Sequence, residues 1–359
     1  MGEKYSSNTI SLVDNEKLSI SFDELSHNTH AYSYKVIHCN ADWTASAISS
    51  SEYVEGFVNS DIVDYSRSTS TTFLYTHYKF ELPNDNMKFK ISGNYVVLIY
   101  EDNKMDSPVA QVCVLVYEPK ISIEHNLRFN TDIELNGRYQ QLDFDIRLNG
   151  VNVQVPQSEL KVVVRQNNRI DNEVFGLQPT YVNGSILSFK NNRDLIFEGG
   201  NEFHTIDISS VYVASRGIDK IKYQQPHYEV YLAKQPVEKP TAYMHEFDAN
   251  GKFVINSQEA VNDKNTEADY MYVNFYINAA EPFLDGRVYV GGDFNQNLMN
   301  QQSIMKYDFD SKMYTFRALL KQGGYSYQYR FLRKGESKLN VEKIEGSFWQ
   351  TTNEYSIYV

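Results

Sequence analysis

Few residues in this chain have the types and spacing that chemistry requires. Its eight His are scattered over 359 residues, and His27 and His30 form the one close pair. The segment around that pair is polar and has no Cys or further His nearby, so we expect both imidazoles to be exposed to solvent. The sequence has no Gly-x-Ser-x-Gly, no phosphate loop ending in Gly-Lys-Ser/Thr and no His-Glu-x-x-His. We therefore predict no catalytic centre and no cofactor.

One segment superficially matches the start of a calcium-binding loop. Oxygen-bearing side chains alternate from Glu246 to Asn250, and Gly251 follows. The twelfth position of such a loop needs a bidentate Glu, but here it is Ser257. Asn-Gly tolerates positive φ, so a hairpin between Tyr243–Phe247 and Lys252–Ile255 explains these residues better. We predict no metal site.

The elements that would position any site are strands. In Tyr270–Ile277 the apolar side chains fall on every second residue, and Leu142–Leu148 alternates in the same way. Alternation with a period of two is typical of half-buried strands. No stretch of comparable length has a convincing helical period, so the sequence predicts an all-β protein.

The chain is long enough for two or three domains. We predict three tandem immunoglobulin-like β-sandwich domains, at residues 1–119, 120–238 and 239–359, because each block has the size of such a sandwich and prolines mark the joints. Asn149-Gly150 and Asn183-Gly184 predict hairpins in the second block. Ser49–Phe57 predicts a short helical turn with a Ser cap before Glu52. The strands predicted in the first block are Leu18–Asp23, Tyr32–Cys39, Phe73–Phe80, Tyr95–Tyr100 and Val109–Tyr117.

Composition and charge exclude several classes of function. The net charge of −12 gives no electrostatic reason to bind nucleic acid or an anionic membrane. The longest apolar runs are too short to cross a bilayer, and no apolar region typical of a signal peptide follows residues 1–4. The chain has 28 Tyr and 20 Phe, which suit strands and also suit an interaction surface.

The two cysteines, Cys39 and Cys113, allow one intramolecular pairing. In an oxidising compartment a disulfide would join an early and a late strand of the first block. Two buried thiols are the alternative, and the sequence leaves both open.

The third block resembles an early-set immunoglobulin-like domain, and in particular a glycogen-binding module. The likeness rests on a strand, a Gly-rich turn and a later Gly-Tyr-x-Tyr strand, within Gly286–Asn295, Met305–Asp308 and Leu320–Tyr329. Modules of that family stack sugars on Trp. Here Gln296 follows Asn295, and Trp349 lies elsewhere, so a shared scaffold without the ligand is favoured.

The whole chain resembles the type IX secretion system plug protein family. An ordered set of segments carries the resemblance. In the first block they are Ile37–Trp43, Ser51–Phe57, Tyr75–Tyr78, Leu82–Asn84 and Ser92–Tyr95; in the second they are Gln140–Phe144, Arg165–Asn167 and Phe197–Phe203; in the third they are Glu267–Tyr270 and the segments named above.

The resemblance implies a periplasmic protein, peripheral to the outer membrane of a Gram-negative cell. Its partner would be the large outer-membrane translocon β-barrel, whose periplasmic opening it would close until cargo displaces it. It would bind no nucleic acid, insert no segment into the membrane and be a monomer when free. Members carry a signal peptide, which this sequence lacks.

We place the docking surface in the first block, around the end of the strand Tyr32–Cys39 and the Ser51–Phe57 turn. Two alternatives stay open at this point: Trp43 as a core residue near the sheet, and Asp42 as a residue that fixes a turn through backbone amides. The predicted partner-binding residues are His38, Asn40, Asp42, Trp43, Glu52, Tyr53 and Phe57.

Two other functions remain to be compared with the plug. One is carbohydrate binding by the third block, and the other is hydrolysis at a site between blocks. Carboxylates are plentiful, but spacing along the sequence singles out no glycosidase dyad, because such pairs form in space rather than in sequence. The sequence therefore favours a protein without enzymatic activity.

Overall fold

The computed structural model describes residues 8–359, except residues 15, 103, 136, 238, 239 and 299. Strands account for 46% of the structure and helices for 6%, so the prediction of an all-β fold is confirmed. The α-helices in these ranges are single turns of four residues. The number of domains remains a prediction.

The strands and helices are short and numerous. In the N-terminal part the strands are β1 (Thr9–Ser11), β2 (Leu18–Glu24), β3 (Tyr32–Cys39), β4 (Val54–Gly56), β5 (Asn59–Ile62), β6 (Asp64–Arg67), β7 (Thr76–Leu82), β8 (Met87–Phe89), β9 (Gly93–Glu101) and β10 (Pro108–Tyr117). Next come β11 (Ser122–Arg128), β12 (Tyr139–Arg147), β13 (Val163–Gln166), β14 (Val174–Phe175), β15 (Tyr181–Asn183), β16 (Ile186–Phe189), β17 (Ile196–Glu198), β18 (His204–Asp207), β19 (Ile218–Gln224), β20 (His227–Leu232) and β21 (Gln235–Pro236). The remainder are β22 (Phe253–Ile255), β23 (Tyr270–Asn278), β24 (Gly286–Gly291), β25 (Lys306–Asp308), β26 (Met313–Lys321), β27 (Gly323–Arg333) and β28 (Tyr355–Tyr358). The helices are α1 (Ser50–Tyr53), α2 (Pro156–Glu159), α3 (Lys264–Glu267) and α4 (Glu342–Glu345), with 3-10 turns at Arg193–Leu195 and Asp293–Asn295.

The chain forms two compact units. The first runs to Lys120 and also takes in Ala260–Glu267; the second comprises Ile121–Glu259 and Ala268–Val359. Nothing in the sequence indicates that Ala260–Glu267 joins the first unit. There, the backbone of α3 accepts hydrogen bonds from the Tyr75 hydroxyl at 3.1 Å and from the Thr69 amide at 3.0 Å.

The first unit is built from two larger sheets and one small one. The sheets have the strand orders β1-β10-β9-β3-β5, β2-β7-β6 and β4-β8. Alternate residues of β3 and β9 point into the core, where Tyr34, Val36, Tyr95 and Val97 are at most 2% exposed. Strand β5 ends the first sheet and β6 ends the second, and the chain passes from one to the other through a single residue, Val63.

In the second unit, three sheets combine strands from both sides of residues 238 and 239. Strand β13 pairs with β28, β18 with β27 and β20 with β23. The predicted alternation of β23 is confirmed, since Met271, Val273, Phe275 and Ile277 are all 0% exposed. The sequence-based boundaries of the second and third domains remain predictions.

The predicted hairpins have different outcomes. Asn183-Gly184 joins β15 to β16 as predicted, with Asn183 opposite Ile186. The hairpin at Asn250-Gly251 is wrong, because the turn forms but Tyr243–Phe247 is not a strand. The Asp248 carboxylate accepts hydrogen bonds from the backbone amides of Phe203 and Asn250, so side-chain contacts rather than a strand ladder hold this segment.

Both cysteines are thiols in the structure: Cys39 is buried at the end of β3, and Cys113 is exposed in β10. Strand β9 lies between the two strands. Burial raises the pKa of the Cys39 thiol, so it is less readily ionised than an exposed thiol.

Candidate partner-binding site

The first part of the predicted site is a tight turn at the end of β3. The Asn40 amide donates to the Thr44 carbonyl at 2.8 Å, and the Trp43 amide donates to the Asn40 carbonyl at 2.9 Å. Asp42 accepts from both the amide and the hydroxyl of Thr44, at 3.0 and 2.6 Å. These hydrogen bonds lower the pKa of the Asp42 carboxyl. Asp42 therefore fixes the turn, in agreement with one alternative from the sequence.

Trp43 has φ of +65°, a left-handed conformation that is uncommon for a residue with a Cβ atom. Its side chain is half-buried, and it is not part of the hydrophobic core of the first unit. The structure thus does not support a core role for Trp43. The neighbouring side chains Asn40 and Asp42 are exposed, so the turn presents an indole between two polar groups.

His38 and Tyr53 lie beneath this turn. The His38 ring is 5.7 Å from the Tyr53 ring and 5.0 Å from the Tyr95 ring, and its Nδ1 lies 2.8 Å from Ser46 Oγ. Burial lowers the pKa of His38 and raises the pKa of Tyr53. Tyr53 is only 7% exposed, so it positions the surface rather than contributing to it.

The second part of the predicted site is α1 with the strand that follows. Helix α1 begins after the cap residue Ser49, whose amide donates to the Glu52 carboxylate at 2.7 Å. The Ser cap and the helical turn form as predicted, but the turn ends at Tyr53 and Val54–Gly56 is a strand. The bond to Ser49 lowers the pKa of Glu52. Beyond β4, the Phe57 side chain is 69% exposed and its amide donates to the Asn86 carbonyl at 2.9 Å.

The structure therefore divides the seven predicted residues into three groups. Asn40, Asp42 and Trp43 form the turn; His38 and Tyr53 support it through ring contacts; Glu52 and Phe57 are exposed on the α1–β4 segment. Whether they contact a partner remains a proposal.

The first unit also contains a groove that the sequence did not predict. It encloses about 440 Å³ beside β5 and β7, and its lining residues are Tyr34, Ser60, Asp61, Val63, Asp64, Lys79, Phe80, Glu81, Asn84 and Asn86. Asn86 is also the partner of Phe57, so the groove begins beside the predicted surface. Its one sequence signal is the apolar Val63 between two polar segments, which alone is too weak to indicate a groove.

The two positions considered for sugar stacking, Trp349 and Gln296, do not provide the open aromatic platform expected from a glycogen-binding module. Trp349 stacks on Phe129 with ring centroids 4.4 Å apart, so one face of its indole is covered. Gln296, at the position considered for a sugar-stacking Trp, lies in a left-handed turn with φ of +56°.

The sites considered for chemistry also have structural explanations. His27 and His30 were expected to be exposed, and both are partly exposed, with 37% of the His30 side chain accessible. Each ring also has a polar neighbour: His27 Nε2 lies 3.0 Å from Ser68 Oγ, and His30 Nδ1 lies 2.7 Å from Glu24. These neighbours account for both imidazoles without a metal or a catalytic role. Across the described part of the chain, no group of three or more His, Cys, Asp or Glu could hold a metal ion. None of the helices in the described ranges has the length and apolar character that crossing a membrane requires.

One known protein family matches the N-terminal part of this chain. Residues 1–118 match the first domain of the type 9 secretion system plug protein. These first 118 residues belong to the type IX secretion system plug family. This domain contains all seven predicted partner-binding residues and the groove. The plug family is a component of secretion machinery and is not a known family of enzymes.

A solved structure extends the similarity to nearly the whole chain. The crystal structure of a hypothetical protein from Parabacteroides merdae is 39% identical in sequence and superimposes with a TM-score of 0.95. The similarity covers 99% of this chain and 89% of the other. No curated protein matches the chain.

Proposed function

We propose that this protein is a non-enzymatic periplasmic plug that binds and closes the periplasmic opening of the type IX secretion translocon in the outer membrane. The match of residues 1–118 to the first plug domain carries the proposal. The docking surface consists of the Asn40–Thr44 turn and the exposed part of Ser50–Phe57. The free protein is a monomer and inserts no segment into the membrane.

The character of this surface suits a reversible contact. Asn40, Asp42 and Glu52 are polar and exposed, and two aromatic side chains, Trp43 and Phe57, also reach the surface. Aromatic anchors contribute much of the binding free energy of many interfaces, while polar neighbours keep the free surface soluble. A contact of this kind holds a plug in place and still allows cargo to displace it.

The turn is held rigidly enough to dock without folding first. Besides its internal hydrogen bonds, the Asn40 carbonyl accepts from Asn94 Nδ2 at 3.1 Å, and the Ser46 amide donates to the His38 carbonyl at 3.0 Å. A prearranged surface loses less conformational entropy on binding.

Co-purification from the native host tests this function. The tagged chain is captured under mild detergent, and bound proteins are identified by mass spectrometry. We expect a large outer-membrane β-barrel in the eluate. The variant Trp43→Gly with Phe57→Ala should reduce its recovery about tenfold or more, because it removes both anchors. Gly tolerates the left-handed φ at position 43, so the turn should persist.

The matched control replaces two exposed apolar side chains elsewhere, Leu284→Ala with Phe309→Ala, which are 81% and 74% exposed in the wild type. It should leave recovery unchanged. Capture of the wild-type chain without any outer-membrane barrel would contradict the proposed function. A barrel that is retained equally by both double variants would contradict the proposed surface.

A further inference from the structure

The groove in the first unit lies between its two larger sheets, on the side where β5 and the later part of β7 form the walls. One wall is the outer edge of β5, which ends its sheet. The other wall is the later part of β7, because β6 pairs with β7 only from Thr76 to Lys79. The chain crosses between the sheets at Val63, which is 82% exposed, and the Asn84–Asn86 turn lies at the lining further along β7.

Both walls carry strand edges that are not paired in the described sheets. Residues 59–62 of β5 pair with β3 on one side only, and β7 continues past β6 through Phe80 and Glu81. An edge strand presents backbone N–H and C=O groups that another extended segment can pair with. Four residues of strand span roughly 13 Å, enough for a short peptide to form several backbone hydrogen bonds.

The floor of the groove is aromatic. The rings of Tyr34 and Phe80 stack with centroids 4.7 Å apart and planes within 6° of parallel. Tyr34 is 2% exposed, and its hydroxyl accepts a hydrogen bond from Asn84 Nδ2 at 2.9 Å. Phe80 is half-buried, so part of its ring remains accessible. An apolar side chain of a bound strand would therefore find contact area here.

The charged residues of the lining are mainly acidic. Asp61, Asp64 and Glu81 line the groove together with one cation, Lys79, which lies opposite Asp64 in the pairing of β6 with β7. Glu81 is also 3.5 Å from Lys17, but both side chains are about half-exposed, so that ion pair contributes little. The lining favours a cationic ligand and disfavours a second copy of this chain, whose net charge is −12.

We propose that this groove binds an extended, cationic segment of another protein by strand addition. The segment pairs with the outer edge of β5 and places an apolar side chain against Phe80. Its Lys or Arg side chains, on alternate positions, meet Asp61 and Glu81. This inference goes beyond the plug role, and its test requires no translocon.

The test uses the purified full chain and two synthetic probes. One is a fluorescein-labelled hexapeptide of alternating Lys and Val, and the other has Glu in place of Lys. Fluorescence anisotropy measures affinity at low and high salt, and hydrogen exchange locates the bound peptide. We expect the cationic peptide to bind about tenfold or more tightly than the anionic one, with a difference that shrinks as salt is added. Exchange should slow at residues 59–64 and 79–82.

The variant Asp61→Asn with Glu81→Gln should weaken binding of the cationic peptide about fivefold or more, because two charge-assisted contacts become neutral. The control, Asp102→Asn with Asp106→Asn, removes the same charge from two exposed residues outside the groove lining and should change the affinity less than about twofold. The proposal is overturned if the cationic peptide fails to bind or binds no better than the anionic one. It is also overturned if the two double variants behave alike, or if exchange slows elsewhere and not at the groove.

Discussion

His38 and His204 both lie against pairs of Tyr rings, but their polar partners differ. His38 contacts Tyr53 and Tyr95, and its Nδ1 lies beside the neutral hydroxyl of Ser46. His204 lies 5.2 and 5.6 Å from the rings of Tyr327 and Tyr329, and its Nε2 is 3.0 Å from the Glu345 carboxylate. Burial disfavours the charged form of each ring, but only His204 has an anion that opposes this effect.

The two pKa values should therefore move in opposite directions from 6.5. Burial lowers the pKa of His38, whereas for His204 the attraction of Glu345 outweighs burial and raises the pKa. As pH falls through about 6.5, the unfolded chain takes up a proton that folded His38 does not, so stability is lost. His204 has the opposite sign: its stabilisation is present below about 6.5 and is lost as pH rises through the folded-state pKa.

Titration of the imidazole signals by NMR measures both values directly. Urea unfolding between pH 5 and 8 measures their effect on stability. The variant His38→Gln should lack the loss of stability that His38 causes as pH falls. The variant His204→Gln should lack the gain of stability that His204 causes as pH falls. A His38 midpoint above that of His204 would contradict this account.

At the residue level, contacts between close neighbours in the chain were easier to predict than contacts between distant residues. The turn-fixing role considered for Asp42 depends on a neighbour two residues away, Thr44, and could be anticipated. The partners of His27 and His204 are 41 and 141 residues away. Such distant contacts cannot be inferred from local patterns.

At the level of elements, β4 depends on one glycine. Gly56 has φ of +96°, and a Cβ atom there would lie 2.1 Å from the Asn86 carbonyl oxygen. The position is strained for any other residue, and the obstacle is backbone, which cannot rotate away. This close approach sets how the strand that precedes Phe57 pairs with β8.

Gly56→Ala should lower the free energy of unfolding of the first unit by about 2–4 kcal/mol, from the positive φ and the overlap together. Gly184→Ala is the matched control, because Gly184 has φ of +57° with nothing within 4 Å of the added Cβ. It should cost about 1 kcal/mol. Chemical denaturation of the full chain measures both, and equal effects would contradict the role assigned to the Asn86 carbonyl.

Strands in which apolar residues recur at every second position were the easiest to predict. Strand β3 has the bounds that the sequence predicted, and β9, β10 and β23 agree within a few residues. The α1 cap could be recognised because Ser49 and Glu52 have the spacing of a capping box. The strand predicted at Tyr243–Phe247 is wrong because side chains make the contacts there. The Tyr243 hydroxyl donates a hydrogen bond to Glu202, and the Asp248 carboxylate accepts one from the Phe203 amide. A pattern of alternating residues does not encode such contacts.

At the scale of the whole molecule, the sequence revealed the all-β class but not how distant segments combine. Ala260–Glu267 joins the first unit although its neighbours in the chain belong to the second. The groove beside β5 and β7 arises from the crossing between two sheets at Val63, which depends on strand pairing rather than on any motif. The family resemblance, in contrast, was visible in an ordered set of short segments, and the family model matches the part of the chain that holds those of the first block.

Closure of the translocon by this chain can be followed through the conductance of the purified barrel in a planar bilayer. The full chain is added to the side that carries the periplasmic opening. We expect the current to fall towards the closed level in proportion to the amount of bound chain. With the variant Trp43→Gly with Phe57→Ala, we expect the current to stay at the open level. An open current that persists while the chain is bound would contradict the account.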